Sequence, residues 1–152
     1  QDRVPLAALD AAYIPLKLCF GVVPIVAGLD KFTNILTDWS QYLPGFVVDA
    51  MPVSPPAFMI LVGVVEIVAG VVVLTRLTRL GSAVVAAWLV GVGVSAALAG
   101  FLDVAVRDAV MAVAAFALSS LAAARGAAWF PLGRGVAAHR TAGGAAVGHG
   151  GA

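Results

Sequence analysis

The chain has 152 residues, of which 62% are hydrophobic and only 11% charged. A soluble domain carries roughly 25% charged residues, so this sequence lacks the polar surface that water demands. A net charge of +1 leaves no basic stripe for nucleic acid, and the single cysteine, Cys19, excludes an intrachain disulfide, a CxxC redox pair and a cysteine-only metal site.

About 20 apolar residues in a helix cross a ~30 Å hydrocarbon core, and four stretches are long enough. The first helix is expected at about Ala11 to Leu36, with Lys17 near its start and Asp30-Lys31 near its end. Long cationic side chains in such places can snorkel to the interface. Pro24 should kink this helix, whereas Pro15 suits its first turns. A signal peptide is the competing reading, but Val26-Ala27-Gly28 imitates a cleavage site badly and no positive cluster precedes it.

A connection of about 20 residues follows, Thr37 to Pro55, carrying Trp39, Tyr42, Phe46 and Met51 between prolines and a glycine. Its length is unusual for a connection. Aromatic side chains favour the membrane interface, so the loop reads as an interfacial or re-entrant cap over one mouth of the bundle, or as a plain aromatic belt. The second helix is expected at about Pro56 to Thr75, the third at about Leu80 to Phe101 and the fourth at about Asp103 to Ala124. A short basic turn with Arg76 and Arg79 joins the second to the third. Between the third and fourth, Gly100 can close one helix and Asp103 cap the next, with Asp103 and Arg107 spaced to pair.

These elements predict an all-α integral membrane four-helix bundle over residues 1–128, with an interfacial outer loop between its first two helices. Residues 129–152 are expected to form a flexible Gly/Ala-rich cytoplasmic tail anchored by Trp129 and Phe130. His139 and His149 in that tail have no acidic or cysteine companion, so no metal site is expected. With four spans, seven basic residues (Arg3, Lys17, Arg76, Arg79, Arg125, Arg134, Arg140) fall on one side and two (Lys31, Arg107) on the other. The asymmetry predicts that both termini are cytoplasmic.

Residues 21–28 read GVVPIVAG and residues 63–70 read GVVEIVAG. The match is either a trace of an inverted repeat or convergence in a Val/Ala/Gly-rich chain. In both cases Gly21 and Gly28 lie on one side of one helix, and Gly63 and Gly70 on one side of the next, where small residues let backbones approach.

Glu66 interrupts the second helix about ten residues, or ~15 Å, from either end. A carboxylate at that depth costs a few kcal/mol on insertion scales (~2.5–3.5 kcal/mol) unless it is neutralised, paired or solvated. Lys31 is its best-placed cation, with Asp30 and Asn34 as further polar groups at the same level, under the loop that carries Trp39 and Tyr42. The cluster is either a structural ion pair that fixes helix register or a site for a quinone head group, a proton or a small polar ligand. No His falls in a spanning segment, no serine has a His nearby and no Gly-rich phosphate loop follows a strand, so no catalytic residue is assigned.

The run Ala27-Gly28-Leu29-Asp30-Lys31-Phe32, the outer loop, Glu66-Ile67-Val68-Ala69-Gly70 and the turn at Thr75-Arg76 together resemble the DoxX-like membrane proteins, over about residues 12–125. The resemblance implies a four-helix protein of the bacterial inner membrane. For some members it also implies association with quinone-linked redox enzymes, including a small subunit of thiosulfate:quinone oxidoreductases. Lys31 and Glu66 are the positions onto which the family's polar motif carries over. The family often closes its fourth helix with a Gly-Gly/Ala-Arg run and an acidic residue, whereas this chain reads Arg125-Gly126-Ala127-Ala128-Trp129, which puts contacts of that terminus in doubt.

The resulting expectation is a non-catalytic membrane subunit, or quinone-adjacent partner, of a redox or respiratory complex. It would bind no cofactor directly, have a quinone nearby, and contact lipids and larger redox subunits. The alternative is a small oligomeric transporter or permease with Glu66 as its intramembrane site. An enzyme with Glu66 as general base ranks last, for want of a second catalytic group.

Overall fold

A computed structural model describes residues 5–130. Arg3, Arg134, Arg140, His139, His149 and the tail beyond Phe130 lie outside the described residues. In chain order the elements are α1 (Leu6–Asp30), a 3-10 turn (Trp39–Tyr42), the short α2 (Gly45–Ala50), α3 (Pro55–Leu74), α4 (Thr78–Leu98) and α5 (Leu102–Ala124), with no strand among the described residues. Four helices, α1, α3, α4 and α5, are long and apolar enough to cross a membrane. The chain is a multi-pass membrane protein.

The first helix departs most from the sequence expectation, for it starts at Leu6 and stops at Asp30. Its early start becomes affordable because Asp10, a charged residue in the added turns, pairs with Arg125 at the end of α5. Pro15 therefore sits well inside the helix beside Pro24, not in the first turns. Its early stop is caused by Asp30. That carboxylate accepts the backbone N–H groups of Ile35 and Leu36 at 3.0 and 3.1 Å, pulling the chain back across the helix end. Asn34 takes a left-handed φ of 50° to make the bend, a conformation that Asn tolerates better than most residues.

The other helix ends follow ordinary capping chemistry. Gly100 (φ 92°) and Gly126 (φ 81°) end α4 and α5 in the left-handed conformation. The following amides, of Phe101 and Ala127, donate back to the carbonyls of Ala96 and Ala122, each at 2.9 Å. The expected side-chain cap by Asp103 is not made: α5 opens on Phe101 without a side-chain hydrogen bond, and Asp103 lies exposed in its first turn. There its charge still favours the positive helix end.

The helices associate as two tight antiparallel pairs, α1 with α3 and α4 with α5, that meet more sparingly. The glycines of the repeated octapeptide make the first pair possible. A Cβ on Gly28 would stand 2.5 Å from the Gly63 carbonyl oxygen, and one on Gly63 2.6 Å from that of Gly28; Gly70 likewise abuts the carbonyl of Gly21. Neither helix could approach so closely with larger residues. In the second pair, Val104, Asp108, Ala112, Ala115, Leu118 and Ala122 form the buried stripe of α5.

A dry core forms toward one end of the bundle, from Phe20, Val73, Val85, Ala86, Ala115 and Leu118. Basic side chains surround that end. Lys17 donates to the Thr75 carbonyl at 3.0 Å, Arg125 lies 4.4 Å over the Tyr13 ring, and Arg79 stacks 4.1 Å from Trp129. Large apolar side chains such as Val22, Val26, Val68, Val110, Val113 and Phe116 face outward, where lipid is their natural neighbour.

Candidate functional site

At the opposite end, the residue just past α1 reaches across to the middle of α3. Lys31 Nζ donates to Glu66 Oε2 at 2.6 Å, with the two side chains only 4% and 14% exposed. The ammonium also lies 3.7 Å from the centre of the Trp39 ring, which adds cation–π attraction where water is scarce. Trp39 is held in turn by donating its Nε1 proton to Asp30 Oδ2 at 2.8 Å. Asp30 therefore belongs to the frame that positions Trp39 above the ion pair. Asn34 does not join this cluster: it is exposed and serves the helix end.

The long loop lies over this polar group. Its 3-10 turn supplies Trp39 and Tyr42, and the Tyr42 ring meets Phe101 edge-on at 4.9 Å. Ser95 on α4 donates to the Tyr42 carbonyl at 3.2 Å. The loop is thereby strapped to both helix pairs.

Beneath the loop the pairs separate around a cavity of about 600 Å³, walled by α3, α4 and α5. A second, of about 430 Å³, lies against α1 and α5. Trp39, Glu66, Trp88, Arg107 and Asp108 line both. Lys31, Tyr42 and Ser95 border the larger one, and the remaining walls are apolar side chains such as Val62, Val84 and Val92, so the two hollows flank a common polar centre.

Three members of that centre escaped the sequence reading. Asp108 was assigned no role, and Arg107 was expected to pair with Asp103. Instead Arg107 Nε donates to Asp108 Oδ1 at 3.3 Å; the Asp108 side chain is 5% exposed and that of Arg107 61% exposed. Asp108 falls in register with Val104, Ala112 and Ala115 on the buried stripe of α5, and that spacing was the available signal. Trp88 looks like one more apolar residue of α4. Yet its Nε1 proton is buried and has no hydrogen-bond acceptor among the described residues. A buried donor without a partner costs about 1–3 kcal/mol, so Trp88 marks a place where something else can accept.

Chemically, the centre offers among the described residues one satisfied ion pair, one unsatisfied N–H donor and one carboxyl group with a single protein partner, all bordering apolar space. Among the described residues no three His, Cys, Asp or Glu side chains are grouped to hold a metal ion.

The DoxX family model matches residues 13–98, a span from the second turns of α1 to the last residue of α4. It therefore contains Lys31, Trp39, Glu66 and Trp88, while Arg107 and Asp108 lie beyond it. Comparison with curated proteins gave no match, nor did comparison with solved structures.

Proposed function

The chain belongs to the DoxX family of small membrane proteins, and from that premise we propose that it is a non-catalytic membrane subunit which holds the head of a membrane-soluble quinone beside a larger redox partner. The observation that carries this reading is the pair of apolar hollows meeting at a polar centre. Such a shape suits an amphipathic molecule whose head needs a few hydrogen bonds and whose tail stays among hydrocarbon. Val22, Val26 and Val84, which line the hollows, are also exposed on the lipid-facing surface, which favours lateral access from the bilayer. Lys31 and Glu66 satisfy one another and serve as the polar floor; Trp39 and the loop cover it.

The same reading places the basic end of the bundle in the cytoplasm of a bacterial inner membrane, by the distribution of basic residues. The quinone head would then sit toward the opposite leaflet, under the loop. Among the described residues the outward apolar faces of α1 and α5 are exposed, which suits lipids and partner helices.

Affinity isolation from native membranes in mild detergent, followed by organic extraction and mass spectrometry, tests the proposal. Stoichiometric quinone and co-isolated redox subunits are expected. A transporter is the second reading, favoured by ionisable groups facing one cavity. Purified protein that moves a polar solute across liposomes, and carries no quinone, would establish it in place of the first.

A further inference from the structure

Within that quinone reading, the cavity's free hydrogen-bonding groups are unequally distributed. The Lys31 ammonium and the Glu66 carboxylate are engaged with each other at 2.6 Å, so neither is the first group a ligand would meet. Trp88 and Asp108 are different. The Trp88 Nε1 proton is buried with no acceptor among the described residues. Asp108 is buried, and its only hydrogen bond among the described residues is the 3.3 Å contact from its chain neighbour Arg107, whose side chain is mostly exposed. Both residues border both hollows. Trp N–H can only donate, and an ionised carboxylate, as in the Arg107–Asp108 pair, can only accept.

We propose that Trp88 and Asp108 form a recognition pair for a hydroxylated aromatic head, with Trp88 donating to an oxygen of the ring and Asp108 accepting from a ring hydroxyl. A hydroquinone satisfies both groups. The corresponding quinone satisfies Trp88 alone and sets a carbonyl oxygen against the Asp108 carboxylate. The site therefore discriminates between the reduced and oxidised forms of one molecule and retains the reduced form. Hydrogen bonds to charged groups are among the stronger ones in proteins, so a preference of about tenfold is expected.

The full chain in lipid nanodiscs, under anaerobic conditions, is titrated with three probes: 2-decyl-1,4-benzoquinone, its hydroquinone and the dimethyl ether of that hydroquinone. The expected result is binding of the hydroquinone about tenfold more tightly than of the quinone, with the ether at or below the quinone. The ether comparison needs no variant, so it stands even if a substitution disturbs folding. Asp108→Asn, which offers a donor as well as an acceptor, should bring hydroquinone and quinone to within about twofold of each other. Trp88→Phe should weaken both forms together and leave their ratio unchanged. Equal affinity of hydroquinone and ether for the unaltered protein overturns the recognition pair while leaving the quinone reading in place. Failure of all three probes to bind overturns both.

Discussion

Toward its basic end the bundle closes on Phe20, Val73, Val85, Ala86, Ala115 and Leu118, whereas toward the loop the same helices part around charged side chains. The difference lies in what joins the two helix pairs. At the basic end, the Thr78 hydroxyl of α4 donates across to the Val73 carbonyl of α3 at 2.8 Å, while Ser119 and Ser82 satisfy carbonyls within the α4–α5 pair. Gly81 brings the start of α4 against the backbone at Val73, and Val73 and Leu118 are fully enclosed. At the loop end, the pairs are bridged by Tyr42, Ser95 and Phe101 at the rim, with space below. One end is built to hold the four helices together, and the other to leave room between them.

The largest effect that would sharpen this contrast comes from the ion pair. Lys31→Ala leaves Glu66 buried without its cation, and breaking a buried pair in this way costs about 3–5 kcal/mol. The double variant Lys31→Met with Glu66→Leu should regain much of that loss, because it removes both charges. Reversible unfolding in mixed micelles measures each. Strict additivity of the Lys31 and Glu66 changes would mean that the contact contributes nothing.

Next in size is a comparison of truncations at the two ends. Leu118 is fully buried in the dry core, so Leu118→Ala should cost about 2–5 kcal/mol. Val92 borders both hollows, and Val92→Ala enlarges space that already exists; about 1 kcal/mol or less is expected, since little close-packed contact is lost there. Equal losses at the two positions would show that the loop end is as tightly filled as the basic end.

How much of this contrast was legible in the sequence depends on how each residue announces itself. Glu66 and Lys31 stood out because charges inside apolar runs are costly and must be compensated, and the glycines of the two octapeptides announced a close approach. Asp108 did not, since it follows Asp103 and Arg107 near a helix start, where charged residues usually face water. Only the register of the small residues that follow places it inward. The stop of α1 at Asp30 was hidden because the run from Phe32 to Leu36 is apolar enough to continue a helix. Side-chain capture of backbone N–H groups by Asp30 overrides that propensity. The cavity itself depends on how two helix pairs lean together, which no single segment encodes.

Orientation can be tested without touching either end's energetics. In a background where Cys19 is replaced by Ser, a cysteine at the loop position Ser40 should react with an impermeant thiol reagent added to intact cells. A cysteine at Arg76, exposed in the basic turn, should react only after the membrane is opened. Arg76 serves better than its neighbour Thr78, which is buried and bonded to the Val73 carbonyl at 2.8 Å. The reverse labelling pattern would turn the cavity toward the cytoplasm.

The smallest expected effect separates the cluster from its frame. Asn34 was a candidate member of the polar site, but the structure gives it a left-handed φ of 50° and an exposed side chain. Its contribution is then conformational. Asn34→Gly should leave stability within a few tenths of a kcal/mol, since glycine adopts that conformation freely and Asn already tolerates it. Asn34→Ala should cost about 1 kcal/mol, because a Cβ without a compensating polar side chain is strained there. Neither change should alter the binding of decyl-hydroquinone, since Asn34 touches neither Trp88 nor Asp108 nor the Lys31–Glu66 pair in any hydrogen bond. If Asn34→Gly abolished binding while the melting transition stayed in place, Asn34 would have to be restored to the site and the loop end redrawn around it.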